Sequence, residues 1–457
     1  MIDFEKFAAY SKPGPRYTSY PTAVEFHNNF SSKEYIENLQ LSDEKYAHIP
    51  LSIYVHLPFC RSACYFCGCN VVYTSKEDKK TRYIEYFKKE LALLADKTNT
   101  KREVVQFHFG GGTPTFFNAA ELQEVIESIR AVFPNFSPNA EISCEIDPRH
   151  FTQDQMQVLH DGGFNRLSFG VQDFNPKVQE AVHRHQSPEL VQKAVELARK
   201  FGIDSINFDL IYGLPFQNLE SFRQTLDTVL ELSPERLAIF NYAHVPWMKK
   251  TMRKIDESTL PSPQEKLQIL KQSIEVLGSA GYEMIGMDHF AKKTDELYRA
   301  KIQKQLRRNF QGYTTKGFSQ TIGIGLTSIG EGVEYYAQNY KDMTMYEKAI
   351  DNGILPIERG IKLTQEDRLR KSVIMELMNT LSLDFSHAQQ EFGIHFSDHF
   401  ARELALLAPY QEAGLIEVSN NAITTTQTGG MLIRNIAMCF DAYLQDTTQQ
   451  KRFSKTI

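Results

Sequence analysis

Nowhere in the 457 residues does an apolar run approach the ~18 residues that a membrane-spanning helix needs. The opening MIDFEKFAAYSKPG has neither the basic flank nor the apolar stretch of a secretory leader, so a cytoplasmic protein is expected. Cysteine is scarce: six in the chain are too few for a disulfide framework at this length. Neither sign of charge is in marked excess. Lys and Arg number 51 against 56 Asp and Glu, a net charge of −5, which leaves no global attraction for nucleic acid or anionic lipid. Any anion site must be local. Glycine and proline are ordinary at 25 and 18, and 42% of residues are hydrophobic, which excludes collagenous and disordered classes. What remains is a globular chain long enough for two or three domains, or for one large barrel with a smaller companion.

From about residue 51 to 291, short β-rich runs recur, each followed by a stretch with apolar residues at three- and four-residue spacing. The runs are 51–59 (LSIYVHLPF), 104–110 (VVQFHFG), 140–147 (AEISCEID), 165–172 (NRLSFGVQ), 205–212 (SINFDLIY) and 236–244 (RLAIFNYAH), with 282–290 (YEMIGMDHF) as a possible seventh. This βα repetition predicts a mainly parallel sheet with right-handed crossovers, in the form of a full or partial β/α barrel. Within the runs, Ile142, Cys144 and Ile146 alternate with Ser143, Glu145 and Asp147, and Ile206, Phe208 and Leu210 alternate with Asn207 and Asp209. Parallel strands covered on both faces normally read as continuous apolar runs. Here one face is polar in strand after strand. Two readings follow: a wide or open barrel with a polar ligand cavity, or an open sheet whose polar face meets solvent. In either, chemistry is expected at the carboxyl ends of the strands.

Residues 1–50 lack the repeat and carry 14–22 (GPRYTSYPT), a compact basic and aromatic segment that reads as a strap or lid, or equally as a packed surface tail. Residues 292–355 are expected to connect and close the barrel. From 356 to 457 the pattern turns mostly helical, with helices over 365–381 and 400–413, a hairpin around Asn420-Asn421, and a last helix over 430–444. Helices with a hairpin resemble a winged helix. The charge balance favours a structural cap over a DNA reader.

Four of the six cysteines, Cys60, Cys64, Cys67 and Cys69, fall within ten residues directly after the first predicted strand. Crowded thiolates suit zinc or an iron–sulfur cluster. A closed zinc site favours two separated CxxC pairs, and Cys67-Gly-Cys69 sets two ligands awkwardly close for that. Cys60, Cys64 and Cys67 can instead hold three irons of a 4Fe-4S cube and leave the fourth iron open.

The CxxxCxxC spacing with Phe66 just before the third cysteine resembles the signature of the radical S-adenosylmethionine superfamily. Residues 56–69, the run GGGTPT from Gly110, 241–246 (NYAHVP), 309–315 (NFQGYTT), 434–441 (RNIAMCFD) and 14–22 together resemble the oxygen-independent coproporphyrinogen III oxidases of haem biosynthesis. The likeness covers essentially the whole chain. It implies a partial (β/α)6 barrel with an N-terminal strap and a mostly helical C-terminal domain. It implies a 4Fe-4S cluster on Cys60, Cys64 and Cys67, with Cys69 a family feature that the cluster does not need as a ligand. Two S-adenosylmethionine molecules are implied, the first contacted by Tyr54, Gly111 and Glu145, the second by Phe66, Gly112, Thr113, Gln172, Arg184, Asp209, Ala243 and Ile329. The implied reaction uses a 5′-deoxyadenosyl radical to convert two propionates of coproporphyrinogen III to vinyl groups, giving protoporphyrinogen IX. A monomer is expected, with an electron donor such as flavodoxin or ferredoxin and a separate electron acceptor. Arg16 and Arg166 are the candidates for the substrate's carboxylates. The competing readings are a haem-chaperone relative that keeps the cluster without decarboxylating, and a zinc-bearing winged-helix regulator.

Overall fold

The computed structural model describes residues 2–10 and 12–444. Six parallel strands form the centre: β1 (Leu51–Leu57), β2 (Val104–Gly111), β3 (Phe136–Ile146), β4 (Arg166–Gln172), β5 (Ser205–Tyr212) and β6 (Arg236–Asn241), paired in chain order. Between them run the helices Glu77–Ala95, Ala119–Val132, Gln153–Asp161, Pro188–Lys200 and Leu219–Leu232. Their starts are chemically marked. Asn118 with Glu121 and Thr152 with Gln155 form capping boxes, and Pro188 occupies the first turn of its helix behind the capping Ser187.

Burial follows the sequence alternation. Leu167, Phe169 and Val171 in β4, and Ile206, Phe208 and Leu210 in β5, are sealed under the helices, while the intervening polar residues are only partly covered. The polar face therefore turns inward. It is not the solvent face of an open sheet.

That interior has two layers. Near the amino-terminal mouth, Ser52 Oγ donates to Gln106 Oε1 at 2.8 Å, and Glu141 accepts from Thr314 Oγ1 at 2.7 Å and from the Thr315 N–H at 3.0 Å. Asn309 Nδ2 also donates to Gln106, at 3.2 Å. The hairpin Arg307–Asn309/Gly312–Thr314 thus plugs the lower barrel, which is what the 309–315 motif does in this fold. The upper layer, at the carboxyl ends, holds the candidate site.

The edges depart from expectation. Residues 282–290 are not a seventh parallel strand: Tyr282–Met284 and His289–Lys292 are separate short strands, the second antiparallel to β6. The chain bends between them at Gly286, where a Cβ would lie 2.1 Å from the Tyr313 ring. On the other edge Gln320–Ile324 pairs parallel with β1 and carries the sheet on through Ile329–Glu331, Tyr335–Asn339 and Ile357–Lys362, all antiparallel. Nor is 400–413 one helix; it divides into Ala401–Leu406 and Ala408–Glu412 around Pro409, whose nitrogen carries no hydrogen to donate. The last helix over 430–444 is likewise broken, into Gln427–Met431, Ile433–Ala437 and two single turns.

Its side chains explain the break. Arg434 donates to the carbonyls of Gly14 at 2.6 Å and Pro15 at 2.9 Å, Asn435 donates to the Tyr10 carbonyl at 2.6 Å, and Asp441 accepts from the Tyr17 hydroxyl at 2.8 Å. Tyr17 and Tyr20 are fully buried, so residues 14–22 pack firmly against the C-terminal segment. The strand Ser382–Asp384 joins the hairpin Ile416–Val418/Ala422–Thr425 in a three-stranded wing, and one apolar core runs unbroken from the barrel into these C-terminal elements.

Candidate active site

The loop after β1 leaves the sheet at Pro58 and carries Cys60, Cys64, Cys67 and Cys69 around the rim of a cavity of about 240 Å³ at the carboxyl ends of the strands. Glycines seat this loop. A Cβ on Gly112 would stand 2.7 Å from the backbone of Pro58 and Phe59, and Gly111, at φ +118°, would drive a Cβ to within 2.8 Å of the His56 ring. The bare backbone here first accommodates the cysteine loop. It also forms part of the cavity wall, where the Thr113 hydroxyl meets Cys60 Sγ at 3.3 Å.

Opposite the thiols, β3 to β5 present polar groups. Glu145 Oε2 accepts from the Gly111 N–H at 3.3 Å, and His108 Nε2 lies 3.5 Å from Oε1. Burial opposes ionisation of Glu145, but His108 and the Gly111 amide outweigh it and hold the carboxyl below its usual range. The side chain lies deep in the barrel yet keeps 46% of its surface accessible, because it faces the cavity. Asp209 accepts from Ser168 and Asn207 at 3.1 and 2.9 Å; burial, then the charge of Glu145, push it up to about 6. Two carboxyls on one wall are therefore tuned apart. Gln172 ends β4 with φ +67°, an uncommon left-handed conformation for a side-chain-bearing residue.

Arg184 links the halves. Its Nη1 lies 3.6 Å from Cys64 Sγ and 3.3 Å from Asp147 Oδ2, while Nη2 donates to the Gly170 carbonyl at 2.6 Å. Its buried Nε has no protein partner. Arg149 clamps the same Asp147 from the other side at 2.6 Å and reaches Cys64 at 4.0 Å. Both guanidiniums thus face Cys64 Sγ. Cys60 is pushed up to about 12, chiefly by burial. The neighbouring Cys69, with the charges of Lys249 and Arg184, holds the Cys67 thiol below its usual range, while Cys69 itself is raised.

Among the described residues, no three of His, Cys, Asp or Glu converge on a point where one ion could sit. Thiols spread along one wall do not form the closed tetrahedron of a structural zinc site, with its ~2.3 Å metal–sulfur bonds. Three soft thiolates around one cavity, backed by two guanidiniums, do fit a polynuclear iron–sulfur group.

Of the eleven residues singled out for cofactor contact, Phe66, Gly111, Gly112, Thr113, Glu145, Gln172, Arg184 and Asp209 line this cavity together with the cysteines. Tyr54 stands behind the wall: its hydroxyl donates to His56 Nδ1 at 3.0 Å, because His56 Nε2–H is spent on the Asn70 carbonyl, and its ring stacks on His108. Ala243 borders a neighbouring cavity, and Ile329 packs with Phe26 and Tyr336 on the outer sheet. Arg166 must be withdrawn as a substrate ligand. It sits at the amino end of β4, on the far side of the barrel, bound to Glu296. Arg16 does reach the carboxyl face, paired with Asp288 at 3.1 Å. Sequence reasoning missed His108, Asp147 and Arg149. Asp147 stood in the alternating pattern of β3, and Arg149 follows it by two, a spacing that only the turn after β3 turns into contact.

Residues 54–229 match the Radical SAM superfamily and residues 363–432 the HemN C-terminal domain. The oxygen-independent coproporphyrinogen III oxidase of Helicobacter pylori strain J99 is 62% identical over 456 residues, covering 100% of this chain and 99% of the relative. That of Escherichia coli K12 is 44% identical over 455 residues, covering 100% and 98%. Among solved structures, coproporphyrinogen III oxidase (HemN) from Escherichia coli, described as a radical SAM enzyme, superposes with a TM-score of 0.92 at 43% identity, over 97% of this chain and 99% of that one. Radical SAM enzymes work with a 4Fe-4S cluster and S-adenosylmethionine, the groups for which the cysteine wall is chemically suited. With motif, fold and full-length identity in agreement, the chain belongs to the oxygen-independent coproporphyrinogen III oxidase family of radical SAM enzymes.

Proposed function

We propose that this chain converts two propionate side chains of coproporphyrinogen III to vinyl groups, giving protoporphyrinogen IX. Each conversion takes –CH2CH2COO⁻ to –CH=CH2, releasing carbon dioxide, one hydrogen atom from the β-carbon and one electron. The hydrogen goes to the nucleoside fragment and the electron to an acceptor. The β-hydrogen lies on an unactivated carbon, beyond any side-chain base. When bound, the cluster and S-adenosylmethionine supply the radical able to take it.

The protein's own groups bind and orient. Cys60, Cys64 and Cys67 would ligate the cluster, with Arg184 and Arg149 balancing its charge. Glu145, held ionised, complements an ammonium or hydroxyl donor, and Asp209 and Gln172 offer further polar contacts. We assign Tyr54, Gly111 and Glu145 to a first S-adenosylmethionine and Phe66, Gly112, Thr113, Gln172, Arg184, Asp209, Ala243 and Ile329 to a second. Eight of these share the cysteine cavity, which supports the assignment; Tyr54, Ala243 and Ile329 join it only if the nucleotides extend past that wall. A small electron carrier such as flavodoxin or ferredoxin would supply the reducing electron to a monomeric, cytoplasmic enzyme.

The convergence of the cysteine loop with Arg184, Glu145 and Asp209 at the carboxyl face carries this reading. Anaerobic, reduced, cluster-loaded protein given S-adenosylmethionine and coproporphyrinogen III should yield methionine together with divinyl product. Methionine without vinyl product would favour a chaperone-like relative.

A further inference from the structure

Beside the cysteine cavity lies a second one of about 870 Å³, more than three times the 240 Å³ of the first. It opens where β5 and β6 end, and its walls include Tyr212, Tyr242, Trp247, Arg16 and Lys266. Its size is that of a pocket for a large organic ligand, and its aromatic faces with three cations, Arg16, Lys266 and Arg434, against two carboxylates, Glu5 and Asp288, suit an apolar body bearing acidic arms. Trp247 is 68% exposed at the rim, an unusual position for the chain's single tryptophan.

The cations are not equivalent. Arg16 is paired with Asp288, and Arg434 is committed to the strap carbonyls. Lys266, in the first turn of the helix Pro263–Ser279, donates only to neutral oxygens: the Tyr242 carbonyl at 3.1 Å and Asn241 Oδ1 at 3.4 Å. Among the described residues no carboxylate comes within ion-pair distance of it. Gly213 makes room for its stem, since a Cβ there would stand 2.6 Å from Lys266 Cε. A partly buried ammonium with no counter-charge, facing a cavity, is an incomplete ion pair.

We infer that this second cavity docks the tetrapyrrole polycarboxylate, with Lys266 gripping one carboxylate and Trp247 covering the macrocycle. The inference deepens the proposed function and rests on it. The plain alternative is that Lys266 serves only to hold the loop after β6 through the Tyr242 carbonyl.

The test uses the anaerobic, cluster-loaded protein, titrated in the same dilute detergent with coproporphyrin III and with its neutral tetramethyl ester, followed by Trp247 emission. Coproporphyrin III should quench that emission. Lys266→Gln keeps a donor for the Tyr242 carbonyl but loses the charge; it should weaken the acid roughly tenfold and leave the ester unchanged. With coproporphyrinogen III as substrate, KM should rise by a similar factor while kcat is retained. Equal affinity in variant and wild type, equal loss for acid and ester, or unquenched emission at saturation would each overturn the inference. Should Lys266→Gln fail to fold, Trp247→Ala decides through porphyrin fluorescence, because an exposed rim residue can be removed without harming the fold. It should weaken acid and ester alike, and wild-type binding of both would refute the site. A wild-type enzyme that makes no vinyl product sinks the functional reading. A productive enzyme whose KM ignores Lys266→Gln sinks the site alone.

Discussion

At the scale of single residues, Asp147 holds the cysteine wall together. It is almost wholly enclosed, and Arg149 and Arg184 both donate to it, which drives its carboxyl well below the ordinary range although burial alone would raise it. Both guanidiniums then reach Cys64. Removing the central charge leaves the buried Arg184 and the partly buried Arg149 without their shared counter-charge. Asp147→Asn should therefore cost about 3 kcal/mol or more in anaerobic urea unfolding and lower the iron content of purified protein; a loss under about 1 kcal/mol would show that the arginines find other partners. Residues of this kind were only partly legible in the sequence. Alternation singled out Glu145 and Asp209 because a polar side chain every second position on a parallel strand has to face something other than the covering helices. Arg166, polar like the rest, was read as a ligand for its charge although it opens its strand, and it lies at the amino end beside Glu296, away from the carboxyl-end chemistry. Arg184 follows a short helix, outside any strand pattern, and only the family likeness pointed to it.

At the scale of elements, the βα repetition was legible because the strands carry a two-residue period and four of the five helices between them open on a capping side chain, Asn118, Thr152, Ser187 or Asn218. What was missed lies where that period is short or broken. Gln320–Ile324 is five residues with a glycine inside, and it is a strand only because β1 offers a partner. The apparent seventh strand fails at Gly286, whose lack of a side chain admits Tyr313. The last helix breaks because Arg434, Asn435 and Asp441 bond to the N-terminal segment 420 residues away in sequence, a contact that local periodicity does not encode. This strap contact has a pH signature. Burial pushes Asp441 up to about 6. Its folded pKa thus exceeds its unfolded value, so its stabilising influence is complete below about pH 4 and is lost as pH rises through 6. Asp441→Asn keeps an acceptor for the Tyr17 hydroxyl without the charge. Its stability relative to wild type should improve by about 1 kcal/mol between pH 5 and pH 7, measured as the change in urea midpoint multiplied by the shared slope. A pH-independent difference would mean that Asp441 is already ionised in the folded protein at pH 5, so that burial does not raise its pKa.

At the scale of the whole molecule, the barrel divides its labour along its axis. The amino-terminal mouth is filled by the Glu141 and Gln106 network, so the polar interior that the sequence advertised is half structural. The carboxyl-terminal mouth carries two adjacent cavities, one lined by thiols and carboxylates, the other by aromatics and cations, with the strap and the C-terminal segment tied down beside them. A near-neutral surface is compatible with a polyanionic substrate because the needed cations are placed locally. All of this has a radical chemistry to serve only if Cys60, Cys64 and Cys67 together hold an iron cube. The most direct measurement is iron and acid-labile sulfide per chain in anaerobically isolated wild type, Cys64→Ala and Cys69→Ala. The account predicts about four of each in wild type and in Cys69→Ala, and almost none in Cys64→Ala; a Cys64→Ala protein that keeps its full iron and sulfide would contradict it.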